Sequence, residues 1–302
     1  MDFSRDNTPL HKMTRGQRMR AIYGPDWREK VRDVPEKPKT PGVHAKGEVW
    51  IEAKDKHGHI KDRRYVQNTI DDDFYYQLAK YFGSWGVAQT TDMDELDYFD
   101  FYDDGDGDDW GHTADVTLND GADLTDDFCE VVGTYTNSSG VAESITQSKL
   151  YSENDVEYSA VTFTAVALAD GDTLTETWRI TLATTEDAGM DIKDSFDALL
   201  AYGLAPGQGD NYATHWMTTD FNDGSWGNEA ACTLTAGGTG TEVTATLSGV
   251  YTASASVTVT DVRLKHAGIT YIEIDLGTYD TDKVMTSGQS YTVDWNITCA
   301  AA

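Results

Sequence analysis

Apolar and polar residues alternate along most of this chain, in short runs rich in Thr and Val. Beyond residue 112 the runs are "ADVTL", "EVVGTYT", "SAVTFTAVAL" and "LTETWRITL". A second set follows: "ACTLTA", "EVTATLSGVYT", "SVTVTDVRL", "ITYIEIDLG" and "SYTVDWNITCA". A period of two puts alternate side chains on opposite faces of a strand, and Gly, Asn and Asp separate the runs. The pattern therefore predicts antiparallel sheets with one buried face. Two segments switch to a helical period: "IDDDFYYQLAKYF" (70–82), with Phe74, Leu78 and Tyr81 on one face, and "IKDSFDALLAYGLAPG" (192–207). Ahead of the first, "EVWIEAKDKHGHIKDRRYVQN" (48–68) reads as a β-hairpin turning at "KHGH".

The second set repeats the first. Ile70, Asp72, Phe74, Leu78 and Ala79 match Ile192, Asp194, Phe196, Leu200 and Ala201, and Trp110-Gly111 matches Trp226-Gly227. "GTYT" (133–136) matches "GVYT" (249–252), and "TETWRITLA" (175–183) matches "TVDWNITCA" (292–300), aligning Trp178 with Trp295. Spacings that drift by a few residues are what loop insertions leave in a duplicated unit. The expected fold is mainly β: two tandem antiparallel β-sandwich units, each preceded by a short helix, with an extended N-terminal arm. Residues 1–46 would be a basic, proline-rich arm, since they hold five of the six prolines. Residues 47–187 would be hairpin, helix and first sandwich, and residues 188–302 helix and second sandwich.

Charge sharpens this division. The chain carries 52 acids against 23 Lys and Arg, a net charge of −29. Such a surface repels itself in dilute buffer and is favoured where salt screens it, which points to a halophilic source. Residues 1–80 hold 17 bases and 13 acids, whereas the rest hold six bases and 39 acids. The large acidic part is expected to avoid nucleic acid and anionic membranes, and the basic end to dock on something acidic. Neither a signal peptide nor a membrane span is expected.

Candidate chemistry is sparse. "DFYDDGDGDDWG" (100–111) offers Asp104, Asp106 and Asp108 at calcium-loop spacing, but Asp109 stands where the loop requires Gly. The stretch is read as an acidic loop, with calcium or sodium coordination as the alternative; no other cofactor is expected. Its counterpart "DFNDGSWG" (220–227) lacks most of the acids, so a cation cannot be what preserves the fold. His57 and His59 flank Gly58 at the hairpin tip and are read as a solvated turn rather than a metal site. Cys232 and Cys299 align with Val116 and Leu182, which marks buried positions, a disulfide being the alternative. Asn137-Ser138-Ser139 fits a glycan acceptor but is read as a plain turn. Motifs for nucleophilic, metalloprotease or nucleotide chemistry are missing, so no enzyme and no catalytic residue is expected.

The leading hairpin, the helix "IDDDFYYQLAKYF" and a Thr-rich sandwich closing on "LTETWRITLA" together resemble virion proteins of tailed viruses that decorate capsids or form head and tail fibres. The resemblance covers residues 47–185. With the acidic composition it implies a particle-surface protein of a virus of halophilic archaea, a turret or capsid decoration protein assembled in the host cytoplasm. Its partners would be the major capsid protein or other virion proteins and further copies of itself, as a trimer, pentamer or hexamer. The arm would attach it through Met13, Arg15, Arg18, Met19, Arg20, Ile22, Tyr23, Trp27 and Arg28, the apolar members carrying most of the contact because salt screens charge pairs. One rival reading is host-surface glycan adhesion by a tail or fibre protein, with Trp85, Trp110, Trp216 and Trp226 as candidate platforms. Another is a glycan-cleaving tail enzyme.

Overall fold

The computed structural model describes residues 8–25, 27, 42–70, 74, 96–103, 112–120, 127–185, 190–193, 196, 200, 217–238, 242–266, 269–279 and 281–300. These are mainly β. A 3-10 turn (Leu10–Lys12) and helix α1 (Arg15–Tyr23) precede strands β1 (Gly42–Lys54), β2 (Ile60–Ile70), β3 (Leu96–Asp103), β4 (His112–Asp115), β5 (Thr117–Asp120), β6 (Phe128–Thr136), β7 (Glu143–Ser152), β8 (Glu157–Leu168) and β9 (Thr173–Thr185). Then come β10 (Met190–Ile192), β11 (Thr218–Asn222), β12 (Asn228–Ala231), β13 (Thr233–Gly238), β14 (Glu242–Thr252), β15 (Val257–Val259), β16 (Asp261–His266), β17 (Ile269–Asp275), the one-turn helix α2 (Leu276–Tyr279), β18 (Lys283–Met285) and β19 (Ser290–Ala300). Among the described residues, no helix is long and apolar enough to cross a membrane.

β1 is the hub. One edge pairs with β9 along its whole length, and β6 and β5 follow β9 outward. The other edge pairs with β2 from Gly47 onward and, at Val43↔Cys299, with β19 in parallel, which continues to β14 and β13. β2 leaves β1 and pairs through Thr69 and Ile70 with β8, leading on to β7, β3 and β4. A separate five-stranded sheet runs β10-β17-β16-β11-β12. Alternation does what the sequence predicts: Leu174, Trp178, Ile180 and Leu182 of β9 and Val49, Ile51 and Ala53 of β1 are buried.

Strand registers recur between the two halves. Thr69↔Ala160 and Ile70↔Ser159 are matched by Asp191↔Glu273 and Ile192↔Ile272. Phe99 faces Ala114 and Leu150 as Thr219 faces Ala230 and Leu264. Val131↔Trp178 and Gly133↔Glu176 are matched by Leu247↔Trp295 and Gly249↔Val293. Ring contacts follow the same scheme. Phe74 meets Tyr158 at 5.4 Å as Phe196 meets Tyr271 at 6.2 Å, and Phe101 meets Tyr135 at 5.8 Å as Phe221 meets Tyr251 at 5.3 Å. Gly133 and Gly249 also share a reason for being glycine. A Cβ would lie 2.5 Å from the Phe99 ring at one and 2.2 Å from Thr219 Oγ1 at the other, so the facing strand approaches bare backbone in both places.

The expectation of an extended arm is corrected for its described part. Leu10–Lys12 and Arg15–Tyr23 are helical and lie on the sheet, and β1 begins at Gly42, inside the stretch assigned to the arm. The physical reason lies on β1: its outward row includes Trp50, an apolar side chain that an extended, solvated arm would leave in water, and the amino-terminal segment covers it.

Candidate functional site

The outer face of β1, β9 and β6 is unlike an ordinary solvent face, because Glu48, Trp50, Glu52 and Glu130 all lie buried on it. Residues 8–25 and Trp27 form the cover. Thr14 caps α1 in a reciprocal box with Gln17, the Thr14 N–H donating to Gln17 Oε1 at 2.8 Å. Nine residues are too few to hold a helix in water unaided, so docking maintains it. Leu10, Met13, Met19 and Trp27 close over Trp50 in a small core of their own, with Ala21, Ile22, Tyr23 and Tyr65 at its margin.

Every buried acid on this face has a cationic partner. Arg18 donates to Glu130 Oε2 at 2.8 Å and Oε1 at 2.5 Å, and its Nε reaches the Leu10 carbonyl at 2.8 Å. The guanidinium carbon sits 4.5 Å over the Trp50 ring, a cation–π contact. Arg179 and Asn119 also donate to Glu130. Burial pushes the Glu130 carboxyl up, but Arg18, Arg179 and Asn119 outweigh it and hold the group below its usual range. Glu48 accepts from Arg15 at 2.8 Å and from the Tyr65 hydroxyl at 2.8 Å, and Glu52 pairs with Arg63 at 2.8 Å and Lys54 at 2.7 Å.

This geometry redistributes the residues expected to attach the protein to a partner. Met13, Arg18, Met19 and Trp27 are buried against the chain's own sheet, and Arg15 is turned onto Glu48. Arg20 is exposed, Ile22 and Tyr23 are half-buried, and Arg28 lies outside the described residues. Ile22 and Tyr23 line an open groove of about 550 Å³ together with Tyr65, Val66, Phe163, Arg63 and Arg64. A second open cleft, of about 710 Å³, lies in the other half between the turn at Asn222–Gly224 and the β15–β18 ribbon. Asp223, Ser256, Thr258, Thr260 and Thr286 line it with Val257, Val284 and Met285.

The duplicated loop has a structural explanation where it is described. Asp220, which opens "DFNDGSWG", accepts the N–H of Gly227, which closes it, at 2.9 Å; Gly227 takes φ 121°, which favours glycine. Its other oxygen accepts from Arg263 at 2.8 Å and Lys265 at 3.4 Å, and Trp226 lies over the Arg263 guanidinium at 4.0 Å. The motif is thus a clasp: acid to loop end, indole over the acid's counter-ion. Burial raises the Asp220 carboxyl, and Gly227, Arg263 and Lys265 bring it below its usual range. Asp100 occupies the matching register opposite Lys149. Asp104, Asp106 and Asp108 lie outside the described residues, as do Trp85, Trp110 and Trp216. Among the described residues, no three His, Cys, Asp or Glu are placed to hold a metal.

The remaining sequence candidates resolve into local roles. His59 Nδ1 lies 3.0 Å from Asp55, whose carboxyl caps the hairpin turn by accepting the His57 and His59 N–H groups at 2.8 Å each. The His59 N–H leads the donors that bring the Asp55 carboxyl down to about 2. Asn137 is fully buried, its amide donating to the Val141 and Leu168 carbonyls and accepting from Ser139, so it is a turn-builder with no nitrogen left for a glycan. Cys232 and Cys299 are free thiols rather than a disulfide; Cys299 is buried, and Cys232 lies 3.2 Å from Thr219 Oγ1. Sequence reading missed Arg18's inward role and the buried Glu176. Each had a signal, namely Trp50 standing on the polar row of β1 and Glu176 on the apolar row of β9. No family model, curated protein or solved structure matches this chain.

Proposed function

We propose that this is a structural, non-enzymatic protein of a virion surface, a decoration or turret protein of a tailed virus of halophilic archaea, built from two tandem β-sandwich units and attached to the capsid by its amino-terminal part. The observation that carries this reading is the basic segment folded as a separate layer over the sheet, with Arg20 exposed and Ile22 and Tyr23 half-buried beside a groove. A covering layer with its own core presents a shaped, less acidic surface on a chain whose remainder carries 39 acids against six bases. The recurring registers support the tandem reading, and repeated sandwiches suit a projecting, salt-tolerant surface module. Capsid contact then falls to Arg20, Ile22, Tyr23 and the groove, while Met13, Arg18, Met19 and Trp27 hold the layer in place. The test is particle imaging with antibody against residues 190–302, together with an Arg20→Glu/Tyr23→Ala variant. That variant should fold normally and fail to enter particles; normal incorporation would refute the attachment surface.

One observation favours glycan adhesion as a second reading. The cleft beside Asp223 combines the hydroxyls of Ser256, Thr258, Thr260 and Thr286 with the apolar Val257, Val284 and Met285, a composition suited to a neutral sugar. Trp226, by contrast, has its ring engaged by Arg263. Binding of soluble host glycans that is abolished by Asp223→Ala would select this reading.

A further inference from the structure

The core of the first half contains a carboxyl group where the second half has a valine. Glu176 stands on the inward row of β9 between Leu174 and Trp178 and is 0 % exposed. Its Oε2 accepts from Ser148 Oγ at 2.6 Å and from Trp178 Nε1 at 2.8 Å, while Oε1 has no hydrogen-bond partner. Its cross-strand neighbours are Ile51 on β1 and Gly133 on β6, and Phe99 packs onto the latter. At the matching registers the second half has Val293 for Glu176 and Val262 for Ser148. There the indole N–H of Trp295 is accepted by Thr219, which corresponds to Phe99. In the first half the indole's acceptor lies on its own strand and is ionisable; in the second it lies on another strand, β11, and is not.

The titratable groups that the surrounding strands turn toward this interior are Cys129 and Tyr135 on β6, Glu143 on β7, Tyr158 on β8 and His112 on β4. Tyr135 is committed to Glu143 at 2.7 Å, and the His112 ring stacks on Tyr135 at 4.8 Å. None of these sets the proton affinity of Glu176. Burial raises its carboxyl from 4.5 to about 7, against the pull of the Ser148 and Trp178 donors.

We propose that Glu176 is a proton-controlled lock on the first half of the molecule: neutral, the carboxyl is accommodated between the sheets, and its ionisation, releasing one proton to solvent, loosens β3, β6, β7 and β9. The second half, with Val262 and Val293 at the same places, does not respond. The sign follows from a folded-state proton affinity above the unfolded one. The contribution is complete below pH 4.5, declines as pH rises, and is lost above about 7.

Two measurements test this. In protein labelled with ¹³C at its glutamate carboxyls, one resonance should titrate near neutrality and disappear in Glu176→Gln. Amide exchange at pH 5 and pH 8, each referenced to Glu176→Gln at the same pH, should show protection of β6 and β9 falling by roughly 50-fold in the wild type. Protection of β14 and β19 should change equally in both proteins. If no glutamate carboxyl titrates above pH 6, or if the protection ratio is the same at both pH values, Glu176 is only a hydrogen-bond acceptor for Trp178 and the lock is refuted. Should the variant not fold, the wild-type titration alone decides.

Discussion

Arg18 and Glu130, 112 positions apart in the chain, meet in two hydrogen bonds with side chains only 2 % and 0 % exposed. A planar fork matched to a carboxylate is the arrangement that best offsets the desolvation of both ions, and Lys could not reproduce it. The pair exists only when α1 is docked, so it couples the covering layer to β6.

Removing one partner should therefore undo the layer. Glu130→Ala leaves Arg18 and Arg179 facing a buried void and is expected to cost about 3–5 kcal/mol in urea unfolding, with early proteolysis within residues 8–25. Arg18→Met combined with Glu130→Leu should cost much less, because both fully buried charges leave together and only the more exposed Arg179 loses its partner. The depressed Glu130 carboxyl gives the pair an acid limit. Its contribution is present above the unfolded value near 4.5 and is lost as pH falls through the folded one, so the wild-type advantage over the double variant should shrink in acid.

Gly133→Ala should destabilise by about 1–3 kcal/mol through overpacking, since the new methyl would sit 2.5 Å from the Phe99 ring. Phe99→Leu in the same chain should recover part of this loss in thermal melts. Gly249→Ala should behave alike against Thr219, and a neutral outcome at both glycines would contradict the close approach of β3 to β6 and of β11 to β14.

Asp220→Asn keeps the clasp's shape while removing its charge. The hydrogen bonds to Arg263 and Lys265 lose their ionic component, an expected cost of about 1.5–3 kcal/mol, and Trp226 should become more accessible to fluorescence quenchers. Because the Asp220 carboxyl lies below its ordinary range, the wild-type advantage should be complete above the unfolded value near 3.8 and be lost as pH falls through the lower folded one.

Salt should act broadly. With 39 acids against six bases beyond residue 80, melting temperature should rise continuously toward molar monovalent salt. Calcium should add little, and Asp104→Asn/Asp106→Asn/Asp108→Asn should melt as the wild type does with or without it. Full rescue by millimolar calcium in dilute buffer, abolished in the triple variant, would instead establish a cation site in the acidic loop.

Local physics made much of this protein legible in advance. Period-two alternation placed Trp178, Ile180, Leu182, Trp295 and Ile297 on buried faces, because a strand's geometry leaves a side chain only two directions. The paired motifs likewise aligned residues such as Phe74 with Phe196, whose ring contacts correspond. The clasp was visible only as a recurrence of Asp-Phe and Trp-Gly, since its meaning depends on Arg263 arriving from another strand. Tertiary structure alone decided the rest. A charge run and five prolines suggested an extended arm held by a partner, yet Arg18 is neutralised by Glu130 and Met19 packs with Trp50, partners that no local pattern around residue 18 specifies. Glu176 shows the same limit from the other side. Its place on the apolar row was readable, but whether a carboxyl there meets water, a counter-ion or only an indole and a hydroxyl depends on which strands close over it.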